Sequence, residues 1–388
     1  MTRKASVVHS RTLIVVISAL CCLTTSNSAL AASPASAAGA NTIIVQPKFG
    51  GQILGYDIDP NGTLGMLSEF VTLGGGNVLA ATELFDQNTG RIVKVVAQTQ
   101  TQDDFATQGI YGKLGLALYQ HAGKNFFPLV KPLTSGKFNA QWTPAVKPGY
   151  LLWSISASNG TPNVAAYQYS GTDFLTYVFG SNISNNTFGP QISLAPIIDV
   201  DEFLQPQIAL DSKTNQAVLA DSLGCPEPIC VTDIALVDLS SGAIDKFTDQ
   251  LGIGTVDGLA VDSVNGIACT TSLIDQGVEF YNLASKTGFE VTIPNAGSSL
   301  QAGLSVTFDP VHHVFLVSQY SSTGDPNDPE PRVYVYDEQG NVRETVTGLQ
   351  RLPVSPSLIA INPGSRTGFL PVIVEPQHQF LQLQSFRY

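Results

Sequence analysis

A short phrase recurs four times in the second half of the chain and limits the folds that are open to it. Each copy is a four-residue run that is mainly apolar before its last residue, followed by a turn and a second apolar run. The four closing residues are Asp211, Asp262, Asp309 and Asn362, at spacings of 51, 47 and 53 residues. Self-similarity at such a period is typical of repeat architectures, in which stacked units bury a shared core.

Each repeat predicts four short strands. The apolar runs are too short for helices, have no helical period and are bounded by turn residues. A closing Asp suits the turn, because its carboxylate can accept hydrogen bonds from backbone amides two residues on. A second hairpin follows three of the phrases, beginning at Asp233, Gly277 and Arg332. A glycine in each of these hairpins is expected to supply the positive φ of a tight turn: Gly242, Gly288 and Gly340.

Four antiparallel strands per repeat match the blade of a β-propeller. The first half carries looser hairpins, which we interpret as the outer hairpins of four further blades: Ile53, Ala81, Leu114 and Asn163 begin them. The sequence therefore predicts an all-β fold, a single β-propeller over residues 42–388 with seven four-stranded blades; six and eight blades are the alternatives. A last strand near the C-terminus is expected to pair with residues 42–45 and close the ring, which removes an exposed sheet edge.

Residues 1–31 have the pattern of a secretory signal peptide. Arg3, Lys4 and Arg11 form a basic start, residues 13–23 are apolar, and residues 29–31 form a cleavage site of the A-x-A kind. The apolar stretch is too short for a membrane anchor. We expect a cleaved, secreted or periplasmic protein in which residues 32–41 form a flexible leader.

The charge of the remaining chain disfavours some classes of partner. Without residues 1–31 there are 16 Lys and Arg against 31 Asp and Glu, a net charge of −15. Nucleic acids and anionic membranes require clustered Lys and Arg, so we expect neither as a partner. No later stretch is long and apolar enough to span a membrane. The expected protein is a monomer whose partner is a protein, a glycan or a small polar ligand.

Three cysteines remain after the signal peptide. Cys225 and Cys230 flank a proline-rich loop, and in an oxidising compartment they are expected to form a disulfide. A metal site is the alternative, but no second Cys pair or His pair accompanies them. Cys269 lies in an apolar run and is expected to be a buried, unreactive thiol.

Common catalytic motifs are missing from the chain. It has no G-x-S-x-G elbow, no P-loop and no H-E-x-x-H. His312 and His313 lie in a turn, where we expect them to be exposed. Adjacent residues on a strand point to opposite faces, so these two would make a poor metal pair.

Oxygen-bearing side chains are the better site candidates. Five of them fall at strand ends that share one face of a propeller: Asp201, Glu202, Asp221, Asp257 and Gln319. Such a group would hold a divalent cation such as calcium through oxygen ligands, or bind a small polar ligand. For each Asp alone, turn formation is the competing explanation.

The segments VDGLAVDSVNGIACTTS, GVEFYNLASKTG and RVYVYDEQGNVRETV resemble the repeats of NHL, YVTN and lactonase-like β-propellers. The resemblance covers roughly residues 205–363 and implies a fold, which does not by itself give a function. Those families include lactone hydrolases, calcium-dependent proteins and binding scaffolds. Lactonase-type members use Glu, His, Arg or metal-binding Asn and Asp on the channel face. The corresponding positions here carry no His or Arg: they are Asp221, Asp257 and Gln319, with Thr271, Ser272 and Ser318 beside them.

Two functions stay open at this stage. The first is a secreted binding or scaffold protein that acts through its channel-face loops. The alternative is a metal-dependent hydrolase or lyase of the lactonase kind, with Asp201, Asp221 and Asp257 around a divalent cation that polarises a carbonyl or activates water.

Overall fold

A computed structural model describes most of the chain after residue 41. The described residues are 42–59, 62–73, 77–101, 105–111, 114–120, 129–132, 140–141, 150–157, 163–170, 176–182, 187–197, 207–223, 231–249, 256–272, 277–294, 303–319, 331–350, 359–373 and 381–388. All of them belong to one compact unit, Ser36–Tyr388. The signal peptide and leader predicted for residues 1–41 and the disulfide predicted between Cys225 and Cys230 lie outside the described residues.

Regular secondary structure in the described residues is entirely β-strand. No helix there is long and apolar enough to cross a membrane. The strands of the first half are β1 (Ile44–Val45), β2 (Gln52–Ile58), β3 (Leu64–Thr72), β4 (Val78–Asp86), β5 (Ile92–Thr101), β6 (Phe105–Tyr111), β7 (Leu114–Gln120), β8 (Leu129–Pro132), β9 (Ala140–Gln141), β10 (Tyr150–Ala157), β11 (Asn163–Ser170), β12 (Thr176–Asn182), β13 (Thr187–Phe188) and β14 (Ile192–Ser193). Those of the second half are β15 (Gln207–Asp211), β16 (Gln216–Leu223), β17 (Val231–Asp238), β18 (Ile244–Asp249), β19 (Gly258–Asp262), β20 (Ile267–Thr271), β21 (Gly277–Asn282), β22 (Thr287–Thr292), β23 (Gly303–Asp309), β24 (Val314–Gln319), β25 (Arg332–Tyr336), β26 (Val342–Val346), β27 (Ala360–Asn362), β28 (Thr367–Ile373) and β29 (Leu381–Arg387).

These strands form seven antiparallel sheets, named here in chain order. Sheets I, II, IV, V and VI each pair four consecutive strands: β2–β5, β6–β9, β15–β18, β19–β22 and β23–β26. Sheet III contains β10–β13, with β14 added beside β12, and sheet VII has the order β1-β29-β28-β27. The first strands of successive sheets contact one another from β10 through β15, β19, β23 and β27 to β2 and then β6. Four-stranded antiparallel sheets around a ring of inner strands are the architecture of a β-propeller, as the sequence predicted.

The two chain ends meet in sheet VII. β1 pairs with β29, with Ile44 opposite Gln384 and Val45 opposite Leu383. The backbone amide of Ser385 also donates to the Ile43 carbonyl at 2.8 Å. The predicted closure of the ring by the C-terminal strand is therefore confirmed, and β29 has no open edge where β1 covers it.

Two buried carboxyl groups hold residues 48–51, the segment that follows β1. Glu69 accepts hydrogen bonds from the backbone amides of Phe49 at 2.9 Å and Gly51 at 2.8 Å. Glu83 accepts one from the Lys48 amide at 2.9 Å, and both Glu side chains are fully buried. Burial, assisted by the neighbouring Glu69 carboxylate, raises the pKa of Glu83 to about 7. Glu83 is therefore about half protonated near pH 7 and fully protonated at clearly acidic pH.

The hairpins of the first half lie at other positions within their sheets than the sequence predicted. The hairpins at Ile53 and Ala81 are the inner and outer pairs of one sheet, sheet I. Those at Leu114 and Asn163 join the second and third strands of sheets II and III. Their interpretation as outer hairpins of four blades was therefore right only for Ala81. Inner and outer hairpins have the same alternation and the same turn residues, so local pattern does not encode a strand's place in its sheet.

The recurring Asp and Asn residues close the turns between first and second strands. Asp211, Asp262 and Asp309 each accept the backbone amide two residues later through Oδ1, at 2.7–3.0 Å. Asn362 accepts the amide of Ser365 at 3.2 Å. Their predicted role as turn formers is confirmed. The fourth residue after each has a left-handed backbone, with φ between 51° and 67°: Asn215, Gly266, His313 and Arg366.

The turns between third and fourth strands also contain a residue with positive φ. Gly242 and Gly340 have positive φ, as predicted, at 78° and 76°. The prediction for Gly288 was wrong, because Lys286 takes the left-handed position at 57° while Gly288 lies in β22. The Lys286 amide donates to the Asn282 carbonyl at 2.9 Å, which closes the turn before Gly288 is reached.

The two kinds of tight turn lie at the same ends of the strands, and we call that side the turn face. The connections from second to third strands and from sheet to sheet lie on the opposite side, the loop face.

Apolar clusters fill the clefts between sheets, and the cleft between V and VI contains Cys269, Phe280, Phe315 and Tyr334. Cys269 is a fully buried free thiol whose burial raises its pKa, as expected for an unreactive cysteine.

Candidate functional site

The structure places three of the five predicted site residues at loop-face strand ends. Asp221 lies near the end of β16, Asp257 directly precedes β19, and Gln319 ends β24. Asp201 and Glu202 lie outside the described residues. A five-residue site around one channel mouth therefore stays a prediction.

Asp221 belongs to the cleft between sheets III and IV. It lies directly opposite Asp233 on β17, so the two side chains share a face. The same face carries Ala217 and Leu219, which pack against Val178 of sheet III. Asp233 is buried, accepts the Thr248 hydroxyl, and has Lys246 Nζ 3.6 Å from its carboxylate. The Asp221 side chain thus stands beside Asp233, whose Oδ1 is already paired, in a different cleft from Gln319.

Gln319 points into the cleft between sheets V and VI. It shares a strand face with Phe315 and Val317, which belong to the apolar cluster of that cleft. Arg332 is directly opposite on β25, and Tyr334 follows on the same face. The Tyr334 hydroxyl donates to the Pro294 carbonyl at 2.6 Å and also lies 3.1 Å from Gln319 Oε1. The Gln319 side chain is 1% exposed, so its amide is held in a dry environment.

Thr271 reaches the same cleft from sheet V. Thr271 shares a strand face with Cys269 and is fully buried. A Cβ added to Gly258, directly opposite Thr271, would lie 2.5 Å from the Thr271 hydroxyl and 3.0 Å from the Val306 amide nitrogen. Only glycine fits at this point, because the inner strands of sheets V and VI approach so closely.

Besides Tyr336 Oη at the turn-face end of β25, three polar atoms in this cleft have no hydrogen-bond partner among the described residues: Thr271 Oγ1, Gln319 Nε2 and Arg332 Nε. We call the part of the cleft that these three residues line the loop-face cleft. Leaving a buried polar group unpaired costs about 1–3 kcal/mol, so folded proteins keep few of them. All three groups can donate a hydrogen bond. The arrangement therefore suits a ligand group that carries acceptors, such as a carbonyl or a carboxylate.

Asp257 directly precedes Gly258, the residue opposite Thr271 in this cleft. Its backbone amide donates to the Thr271 carbonyl at 2.8 Å, and the residue is half-buried. Asp257 and Gln319 thus lie at loop-face strand ends of neighbouring sheets, and their membership of one site stays a prediction. Sequence reasoning missed Arg332, because it belongs to the third strand, and only the pairing of β24 with β25 places it opposite Gln319.

The side chains best arranged for a metal lie on the turn face instead. In the part of the chain that the structure describes, three such residues have ligand atoms within 4.8 Å of one another: Asp262, His313 and Glu338. The sequence described Asp262 as a turn former and His313 as exposed, and both descriptions are confirmed. It missed Glu338, since nothing in a sequence indicates that the turns of two sheets meet.

Comparisons with known proteins support the fold. The sequence matches no protein-family model and no curated protein. A chain of the mitotic checkpoint complex is 10% identical with a TM-score of 0.57, over 95% of this chain and 98% of that one. The β-propeller domain of Cps50 (Swd1) from Myceliophteria thermophila is 10% identical with a TM-score of 0.57, over 89% and 99%. The WD40 repeats of RRP9 are 10% identical with a TM-score of 0.55, over 90% and 98%.

Similarity at this level of identity shows the β-propeller fold alone. Membership of the NHL, YVTN or lactonase-like families therefore stays a prediction.

Proposed function

We propose that this chain is a secreted binding protein, a β-propeller that takes its ligand or partner at the loop face. The observation that carries the proposal is the loop-face cleft, where buried groups of Thr271, Gln319 and Arg332 lack partners among the described residues. Groups of this kind are costly in a fold and useful in a site, because a ligand restores the missing hydrogen bonds. The signal-peptide pattern of residues 1–31 supports secretion.

The donors of the cleft set the chemistry of the ligand. A hydroxyl, an amide NH2 and a guanidinium nitrogen would pair with a carbonyl or carboxylate group. Such acceptors occur on a peptide, an acidic or acetylated sugar and a small organic acid. A similar solved structure is a chain of a multi-component complex, which agrees with a role in binding a partner.

The test compares a change in the cleft with the same change on the opposite face. Gln319→Leu removes the buried amide, and the control Gln339→Leu makes the same exchange at an exposed turn-face position. The purified chain without residues 1–31 would be screened against a glycan array and against the extracellular fraction of its source. We expect a ligand whose retention falls at least about tenfold in Gln319→Leu and stays unchanged in Gln339→Leu, the effect of one lost buried hydrogen bond.

Equal retention by both variants would refute the assignment of the cleft. Thermal melting of each variant checks that a lost ligand does not reflect a lost fold. Gln319→Leu removes the unpaired Nε2 group, and the Tyr334 hydroxyl keeps its hydrogen bond to the Pro294 carbonyl. The fold is therefore expected to stay intact, so the two effects are separable.

A further inference from the structure

Two carboxylates and an imidazole meet on the turn face between sheets V and VI. His313 Nδ1 lies 3.7 Å from Asp262 Oδ2 and 3.8 Å from Glu338 Oε1. Asp262 ends β19 in sheet V, whereas His313 and Glu338 lie in the two tight turns of sheet VI. We propose that these three residues bind a divalent transition metal of the zinc type, which would link sheet V to sheet VI.

Local structure holds each ligand atom in place. Asp262 Oδ1 accepts the amides of Val264 at 2.8 Å and Asn265 at 3.3 Å, which directs Oδ2 toward the group. Asp262 is fully buried. His313 occupies the left-handed turn position, with φ of 53°. The imidazole is 44% exposed, so an ion can enter from solvent.

This group has one carboxylate more than the comparable ion pairs of the other sheets. Two other left-handed turn residues pair with an acid of the preceding sheet: Lys286 with Asp245 at 2.7 Å and Arg366 with Glu344 at 3.0 Å. Each of these ion pairs joins one permanently charged side chain to one carboxylate. At His313 an imidazole takes the place of the permanent cation, and it faces two carboxylates instead of one.

The amide of Asn265 already bridges the two carboxylates. Its Nδ2 donates to Asp262 Oδ2 at 2.9 Å and to Glu338 Oε1 at 2.6 Å. It therefore lies between the two carboxylates, as a cation would. Rotation of this amide by half a turn would present its oxygen instead, a fourth ligand of the kind that metals accept.

The donor set selects the class of metal. Imidazole nitrogen suits zinc, copper, iron and nickel, whereas calcium and magnesium take oxygen ligands. Ligand atoms about 2.1 Å from a tetrahedral zinc ion lie about 3.4 Å from one another. The observed separations of 3.7 and 3.8 Å from His313 Nδ1 need to close by only a few tenths of an ångström. One or two positions on the metal would remain for Asn265 or water.

The adjacent histidine provides a matched control. His312 Nδ1 pairs with Asp309 at 2.7 Å and takes no part in the group. His313→Asn removes the imidazole with a residue that tolerates the left-handed backbone. His312→Asn makes the same exchange one position away, and Glu338→Gln removes a second ligand without changing the turn backbone.

Zinc affinity would be measured for the metal-free chain by competition with a coloured zinc chelator, and thermal melting would be followed with zinc and with calcium. We expect one zinc per chain and a melting temperature that zinc raises. Loss of even a supporting residue weakens metal sites by about 10–100-fold, so His313→Asn and Glu338→Gln should weaken zinc at least about tenfold. His312→Asn should bind as wild type.

Three results would overturn the proposal. They are the absence of saturable zinc binding by the wild type, equal affinities for His313→Asn and His312→Asn, or a shift of melting temperature by calcium that these variants abolish. All variants keep Cys225, Cys230 and Cys269, so zinc held by thiols would appear equally in each. The site is independent of the loop-face cleft, because Gln319→Leu should leave zinc affinity unchanged.

Discussion

The buried pair of Glu69 and Glu83 predicts that stability falls as pH rises from about 5 to 8. In the folded chain the pKa of Glu83 is raised from 4.5 to about 7, chiefly by burial. A carboxyl group with a raised pKa favours folding when it is protonated. Its contribution is therefore complete below pH 4.5 and is lost as pH rises through 7. A shift of this size corresponds to about 3 kcal/mol of unfolding free energy between these limits.

Glu83→Gln isolates this effect. The Gln amide is neutral at every pH, its oxygen can accept the Lys48 amide, and its NH2 can donate to Glu69. We expect a variant about as stable as wild type at pH 5 and up to about 3 kcal/mol more stable at pH 8. The assay is urea unfolding followed by circular dichroism at both pH values.

Glu344→Gln is the control for a general charge effect. Glu344 pairs with Arg366 at the surface and is 43% exposed, so its loss should change stability by at most about 1 kcal/mol at either pH. An unchanged pH dependence in Glu83→Gln, or a variant less stable than wild type at pH 8, would refute the reasoning.

Four further outcomes test other parts of the structure. Gly258→Ala should destabilise by about 1–3 kcal/mol in urea unfolding, because its Cβ would lie 3.0 Å from a backbone nitrogen of β23. At Gly364 the nearest atom would be 3.5 Å away, so Gly364→Ala should not destabilise the chain, and equal losses would contradict the close approach. Tyr388→Phe should cost about 2 kcal/mol, because the Tyr388 hydroxyl donates to the buried Asp309 carboxylate at 2.8 Å; an unchanged melting temperature would show that this tether of the chain end is unimportant. Gln319→Leu should raise stability by about 1 kcal/mol in the absence of ligand, and a loss would indicate a structural role for the amide. Calcium should raise the melting temperature if the alternative of a carboxylate-ringed hydrolase is correct, and no change with calcium or magnesium would count against it.

Local features of the fold could be read from the sequence. The repeat period and the β-rich runs predict a propeller, because each unit must bury its faces against its neighbours. The closing Asp262 and Asp309 are turn formers in the structure, since side-chain capping depends only on residues two or three positions away. The pairing of β1 with β29 could also be anticipated, because a lone strand at each end of the chain leaves one missing partner.

The position of each strand within its sheet was harder to predict. The hairpins at Ile53 and Leu114 have the alternation of any hairpin, yet one is an inner pair and the other joins middle strands. Likewise, Lys286 rather than Gly288 takes the left-handed turn position, because hydrogen bonding of the whole turn decides which residue turns.

The sequence by itself determined the architecture, the turn chemistry and the candidacy of Asp257 and Gln319, all of which follow from periodicity and from short-range hydrogen bonding. Only the tertiary structure decided which side chains meet. It placed Arg332 opposite Gln319 through strand pairing, separated Asp221 into another cleft, and joined Asp262 to His313 and Glu338 across two sheets. These contacts link residues that are up to 76 positions apart, and their geometry depends on how twisted sheets pack around the ring, which no local pattern of residues specifies.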